Sequence, residues 1–470
     1  MLALAAGPAL AGASVVRSAA EADAVVRIAM PREMPEGTTF RGVVIAAPGS
    51  SAYAPDFLLT TDRNVLATGP ILPGLAVRFT GSPPQAVWTA AGDTNTGRYG
   101  VSAAFIDDID GDGAPDVAVG VFGLGIVSLV SGASGAPLGD LTTTPTEFAS
   151  FGFSLATVRG PDGDQRLLVS SPGPGVARGY ATDDLGAPPT LFTLGDGPTP
   201  SFAQWLANLG DINGDGYDDF VATEPDFTFG AYVFSGQTGE IIRTHLVRNL
   251  SVNRSAAAAG DLDGDGVGDV LVAGANRLRA YSGATGEAIF NLRFDDTDAL
   301  RSALSVGDVT GDGVPDFVMA EPLAPGAPGA PGTAGAPGPD GALNVGRVTL
   351  YCGRTRTPIV AYVGGSAFDA FGASMDVMGA SPEAPTALLV RAFRSTGGVE
   401  GNGAYAFVFR LPTPCPGDAT FDGAVGFADI ALVLSQMGQQ GALTGDLNAD
   451  GVVDFQDLSI VLGAFGTTCD

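Results

Sequence analysis

Short apolar runs alternate with turns rich in glycine, aspartate and serine along most of the chain, and the runs recur in a fixed order. An aromatic-glycine opening comes first ("RYGVS", "SFGFS", "AFGAS"), then a polar turn, then an apolar run. That run reads "DVAVGVFG", "RLLVSSPG", "DFVATEPD", "DVLVAGAN" and "DFVMAEPL". Runs this short, rich in β-branched residues and bounded by turn residues, predict strands. Two alternating runs about a turn follow: "VSLVSGASGAPLGDL", "AYVFSGQTGEIIRTH", "LRAYSGATGEAIFNL" and "VTLYCGRTRTPIVAY". Their S-G-x-S/T tetrads, C-G-R-T in the last run, are the turn chemistry of hairpins.

The order is an internal repeat. Asp211 and Asp261 are 50 residues apart, and Asp261 and Asp308 are 47 apart. From Asp108 to Asp211 is 103 residues, which is two units, with a degenerate copy at "VRGPDGDQRLLVSSPG" between them. Near the start, "RGVVIAAPG" reads as the apolar strand and "AVRFTGSPPQAVWTA" as the hairpin; near residue 370, "DAFGASMDVMG" opens a last unit that ends in "GAYAFVFRLP". Units of roughly 40–50 residues with four short strands each predict a β-propeller. The expected fold is mainly β, with seven blades between Asp23 and Leu411; six blades and an irregular N-terminal segment is the alternative. One insertion, 324–341, has glycine at every third position but is too short for a triple helix. It is expected to be an extended surface loop on the sixth blade.

Composition narrows the function. A formal charge of −28 disfavours nucleic acid and anionic lipid as partners. All 23 basic residues are arginine, and the one histidine, His245, lies in an alternating run expected to leave it partly exposed. With no lysine and no visible nucleophile–base pair, no catalytic constellation is legible, and an enzyme is not expected. The first residues, "MLALAAGPALAGASV", resemble the apolar and cleavage regions of a secretory signal, so 1–22 reads as a leader and extension. No stretch is long enough to span a bilayer. A secreted or cell-surface protein of bacterial type is expected. Cys415 and Cys469 bracket the last segment, either as a disulfide or as two unrelated thiols, and Cys352 stands alone upstream.

The polar turn before four of the apolar runs is the richest motif. In "DIDGDGAPD" the carboxylates of Asp108, Asp110 and Asp112 occupy positions 1, 3 and 5, Ala114 offers a carbonyl at 7, and Asp116 closes at 9. The pattern returns as Asp211, Asn213, Asp215, Tyr217 and Asp219; as Asp261, Asp263, Asp265, Val267 and Asp269; and as Asp308, Thr310, Asp312, Val314 and Asp316. Like charges so close repel, which calls for a cation the sequence does not contain. Hard oxygen donors in a glycine-hinged turn favour Ca2+ over zinc or the tighter shell of Mg2+. A turn that starts like an EF-hand but leaves into a strand resembles the FG-GAP repeats of integrin α-subunit propellers and their bacterial relatives. The resemblance covers all seven units and is specific in four of them.

The last segment, 412–470, repeats differently. Asp418, Thr420, Asp422 and Asp429 stand at positions 1, 3, 5 and 12 of one loop. Asp446, Asn448, Asp450, Asp454 and Asp457 stand at 1, 3, 5, 9 and 12 of a second. Each loop runs into a predicted helix that stops at Gly438 or Gly466. Ile430, Val433, Leu434, Leu458, Val461 and Leu462 are expected to bury against one another. Paired loop–helix units with aspartate at position 12 resemble a type I dockerin. The resemblance implies two more calcium ions, about six in all, and a cohesin-like or cell-surface partner. Positions 10 and 11, which help choose that partner, are Phe427/Ala428 and Phe455/Gln456 rather than hydroxyl pairs. The whole reads as a propeller that recognises a protein or glycan, tethered through its last domain. A lectin, for which only Trp88 and Trp205 are available among tryptophans, and a calcium-dependent polysaccharide lyase are the alternatives.

Overall fold

The computed structural model describes residues 15–18, 22, 24–29, 42–51, 54–64, 72–93, 98–142, 150–182, 190–194, 202–224, 230–246, 255–274, 277–294, 302–322, 346–364, 370–379, 385–394, 403–411, 415–420, 424–441, 443–448 and 451–468. Seven separate sheets are built from strands between 15 and 410, each an antiparallel meander in chain order except that two of them gain an outermost strand from the N-terminal stretch. They are the blades of a seven-bladed β-propeller: 44–91, 99–142, 155–194, 205–246, 255–293, 302–363 and 374–410. Successive blades touch through their first strands, apart from blades 1 and 2, where the middle strands of blade 1 meet the first strand of blade 2.

Burial explains the strand sequences. The second strand of each acidic-loop blade is buried along its whole length: Asp116–Val121, Asp219–Glu224, Asp269–Ala273 and Asp316–Glu321. A strand covered on both faces needs no polar alternation, so these read as unbroken apolar runs. Outer strands such as Pro137–Thr142 are mostly exposed. The core is seven clusters, each shared by neighbouring blades. Between blades 4 and 5, for example, Leu209, Val221 and Val233 pack on Ala256, Val270 and Val272. Stability is therefore spread around the ring in nearest-neighbour contacts.

The ends of the propeller sequence depart from expectation. The strand β1 (Val15–Ser18), within the 1–22 stretch read as leader and extension, lies parallel to the outer strand of blade 6, pairing Val15 with Val360. The strand β2 (Ala24–Ala29) supplies the outer strand of blade 7, antiparallel to Gly403–Arg410. The ring is thus closed by strand pairing between the two ends of the propeller chain, with β2 as the outermost strand of blade 7. In blade 1 the expected assignment shifts by one strand. Val44–Ala46 is the first strand, and the buried second strand is Asp56–Asn64, because Phe57, Leu58 and Leu59 are fully enclosed there. His245 is 4% exposed rather than partly exposed, stacked on Tyr281 of the next blade at 4.3 Å between centroids. Burial, aided by nearby Arg243, lowers its pKa to about 4. The glycine-periodic 324–341 segment joins adjacent strands of blade 6 and lies outside the described residues.

After the propeller come two helices, α1 (Phe427–Gln436) and α2 (Phe455–Ala464), packed on each other around Val433, Val453 and Val461. Leu434 and Leu462 were expected inside but are 51% and 56% exposed, because each follows the buried valine by one residue and so turns about 100° away from it. Gly438 and Gly466 follow the helices at positive φ. Among the described residues, no helix is long and apolar enough to cross a membrane.

Candidate metal centres

In each acidic loop the carboxylates organise the backbone before any ligand is considered. Asp108 Oδ1 accepts the N–H groups of Gly111 (2.7 Å) and Asp112 (3.1 Å), and its Oδ2 accepts Gly113 (2.7 Å). Asp112 Oδ1 accepts Ala114, and Asp116 Oδ2 reaches back to Ile109. Gly111 and Gly113 have φ of 78° and 90°, which only glycine adopts freely and which wraps the turn around its first carboxylate. The same set of bonds recurs around Asp211, Asp261 and Asp308, and Tyr217, Val267 and Val314 donate to the position-5 carboxylate as Ala114 does. Sequence spacing placed these loops correctly within their blades.

The sequence reading missed what lies behind the loops. The S-G tetrad, read as hairpin chemistry alone, belongs to the site. The hydroxyls of Ser131, Ser235 and Ser282 donate to Oδ2 of Asp112, Asp215 and Asp265, and in blade 6 the buried thiol of Cys352 takes this place on Asp312. The next residue, Gly132, Gly236, Gly283 or Gly353, donates its N–H to Oδ1 of the closing aspartate at 2.7 to 3.1 Å. A Cβ on any of these glycines would sit within 2.0 Å of the carbonyl before that aspartate. A signal existed in the sequence, since an S-G or C-G tetrad follows each acidic loop within its blade, although the glycine lies anywhere from 14 to 37 residues after the closing aspartate.

The electrostatics are lopsided. The Gly113 N–H, with those of Gly111 and Asp112, holds Asp108 below its ordinary pKa. The closing aspartates are fully buried, and that burial raises all four: Asp219 and Asp269 to about 6, Asp316 to about 8, and Asp116 in direction. Neighbouring loop carboxylates push Asp269 and Asp316 further up, while the N–H bonds offset only part of the cost. The oxygens of Asp108, Asp110, Asp112 and Asp116 lie within 4.8 Å of one another, as do those of Asp261, Asp263 and Asp265. Asp269 falls outside the second set. In the other two loops, Asn213 and Thr310 replace one carboxylate, and Asn213 Nδ2 bonds Asp215 while the Thr310 hydroxyl bonds Asp308 and Asp316. All-oxygen donors converging around unneutralised charge fit a hard divalent cation.

The C-terminal loops are tied by their twelfth residues. Asp429 and Asp457 are fully buried. Asp429 accepts Thr420 N–H and hydroxyl on Oδ1 and Gly426 N–H on Oδ2. Asp457 accepts Leu447 and Asn448 N–H on Oδ1 and Asp454 N–H on Oδ2, while Asp454 itself caps α2 through Gln456 N–H. Asp418 and Asp446 are buried; Asp422 and Asp450 lie outside the described residues. Cys415 is disulfide-bonded and Cys352 is a free thiol; Cys469 lies outside the described residues. Phe427 and Phe455 are 80% and 77% exposed, with Ala428 and Gln456 also exposed beside them, and Phe427 meets Phe465 edge-on at 5.1 Å. Of the two tryptophans, Trp88 is committed to structure, donating to the Gly132 carbonyl, and Trp205 is 37% exposed.

Comparison with known proteins agrees with the fold. No curated protein matches the chain. Among solved structures, a crystal structure of BBS1N in complex with ARL6DN, soaked with lead, aligns with a TM-score of 0.51 at 11% identity, covering 84% of this chain and 98% of that one. The same complex soaked with mercury gives 0.46 at 12% identity, covering 79% and 98%. No enzyme family is indicated by any of these matches. The FG-GAP repeat family matches residues 202–241, which are the aromatic opening, acidic loop and first three strands of blade 4. The chain is a seven-bladed β-propeller carrying FG-GAP repeat sequence.

Proposed function

We propose that this is a secreted, calcium-stabilised recognition protein whose propeller binds a protein or glycan and whose dockerin-like C-terminal module tethers it. The observation that carries the reading is the fourfold recurrence of one carboxylate frame, each closed by a buried aspartate with no in-chain cation bonded to it among the described residues. Four Ca2+ ions would sit in the loops of blades 2, 4, 5 and 6, and two in the C-terminal loops, moving the formal charge from −28 to about −16. There the metal supplies charge and cross-links, not chemistry, and it fixes the turns between first and second strands. Recognition then falls to loops elsewhere on a rigid ring, as in other propellers that bind partners. Support for a protein ligand comes from the fold neighbour, itself solved in complex with a protein. Pull-down and glycan-array screening of calcium-loaded protein tests the reading. A specific ligand retained in calcium and lost in chelator is expected, and binding that ignores calcium contradicts it.

A further inference from the structure

The second C-terminal loop is held by the propeller. Arg354, in the blade-6 hairpin turn just after Cys352, donates from Nη2 to Asp446 Oδ2 across 2.7 Å. Asp446 is position 1 of that loop, and its side chain is fully buried. Oδ2 also accepts the Gly451 N–H, but among the described residues Oδ1 is buried without a hydrogen-bond partner, as is Nη1 of Arg354. A buried carboxylate with one oxygen unsatisfied has room for another cation. Beside this contact lies a cavity of about 330 Å3 whose walls include Asp312 and Cys352 from blade 6 and Asp418 and Asp446 from the module. Three of those four are ligand positions of the acidic loops, and the Arg354 charge also acts on Asp312. One arginine therefore stands between two loops that belong to different parts of the chain.

We propose that Arg354 is an internal cation that competes with calcium for Asp446, latching the C-terminal module onto blade 6 in the metal-free protein. The proposal rests on the calcium reading above. A guanidinium and a divalent ion sharing one carboxylate repel each other, so each weakens the other's hold. Calcium in the 446–457 loop loosens the module, and by reciprocity docking lowers that loop's affinity for calcium.

The test is calcium titration of the full chain by calorimetry, with small-angle scattering at both ends of the titration, for wild type, Arg354→Met and Arg354→Lys. One site should tighten about tenfold in Arg354→Met. Arg354→Lys, which keeps the charge, should stay near wild type. The wild-type maximum dimension should grow with calcium, whereas that of Arg354→Met should be large throughout. If no variant binds calcium, the calcium reading fails and takes the latch with it. If calcium binds equally well to wild type and Arg354→Met, or the dimension never changes, the latch is overturned while the calcium reading stands.

Discussion

Blades 1 and 2 solve the same electrostatic problem in different ways. Each begins its buried second strand with Pro-Asp, Pro55-Asp56 in one and Pro115-Asp116 in the other. In blade 1 the cation comes from the chain: Arg78 grips Asp56 with Nε at 2.9 Å and Nη2 at 2.6 Å, and its Nη1 donates to the Gly132 carbonyl. In blade 2, among the described residues, no arginine bonds Asp116; backbone N–H groups do, and three further carboxylates crowd the same point. Blade 3 shows a third solution, with Gln165 replacing the closing aspartate and its Oε1 accepting the Asp107 N–H. A propeller blade thus tolerates a carboxylate, an ion pair or a neutral amide at this position. Under the calcium reading proposed above, only the bare carboxylate takes its cation from solution.

That contrast can be broken in several ways. The largest effect should come from chelation. Each native-state ion held at 1,000 times its dissociation constant stabilises by about 4 kcal/mol. Scanning calorimetry should therefore show a melting temperature lower by about ten degrees or more in excess chelator, several ions acting together at roughly 1–2 °C per kcal/mol, since the shift per kcal/mol falls as the chain grows. An unchanged melting curve would remove the structural role of calcium.

Next in size is the packing control. Phe220, fully buried between blades 3 and 4, should cost about 3–5 kcal/mol when changed to alanine. Denaturant titration should find most of that loss whether or not calcium is present, since the Phe220 side chain packs in the apolar cluster between the blades.

The sharpest contrast is between Asp56→Asn and Asp116→Asn. The first should destabilise equally in calcium and in chelator, because its cation is Arg78. The second should destabilise by about 1–3 kcal/mol in calcium and become neutral or stabilising in chelator, where the lost charge was a burden. Equal behaviour of the two would erase the distinction between the blades. Gly283→Ala belongs beside them: its Cβ would strike the Gly268 carbonyl at 1.9 Å, and the donor to Asp269 would move. It should weaken calcium binding at one site without abolishing folding, as calorimetry would reveal.

A separate test is pH. A folded pKa raised above the unfolded value means that the native state binds more protons, so stability is full below about pH 4 and falls as pH rises through the folded pKa. Asp219 and Asp269, at about 6, and Asp316, at about 8, place that loss between pH 4 and 8 in calcium-free protein. Calcium should flatten the slope by neutralising the charge. Denaturant midpoints at pH 5 and 8, with and without calcium, test the sign; a calcium-free protein more stable at pH 8 contradicts it.

Much of this was legible in the residues, and the failures have physical causes. Buried second strands announce themselves as apolar runs, and the nine-residue loops are specific because glycine hinges and alternating carboxylates rarely coincide by chance. Ring closure was hidden because β1 and β2 pair with strands hundreds of residues away, and register across that distance leaves no local trace. Asp56 was hidden because its partner Arg78 lies 22 positions on, in the next strand, with no loop motif between. The S-G tetrads were visible but read at one level only, since a turn residue can also support a neighbouring ligand. Leu434 and Leu462 were misplaced by one helical step, within the tolerance of any apolar stripe.

The central claim is that the cation is supplied by solvent in blades 2, 4, 5 and 6 and by the chain itself in blade 1. Crystals grown in calcium, with anomalous difference density recorded at long wavelength, test it most directly. The account predicts a peak inside each loop beginning at Asp108, Asp211, Asp261 and Asp308, and none between Asp56 and Arg78. Featureless density at all four loops in saturating calcium would contradict it.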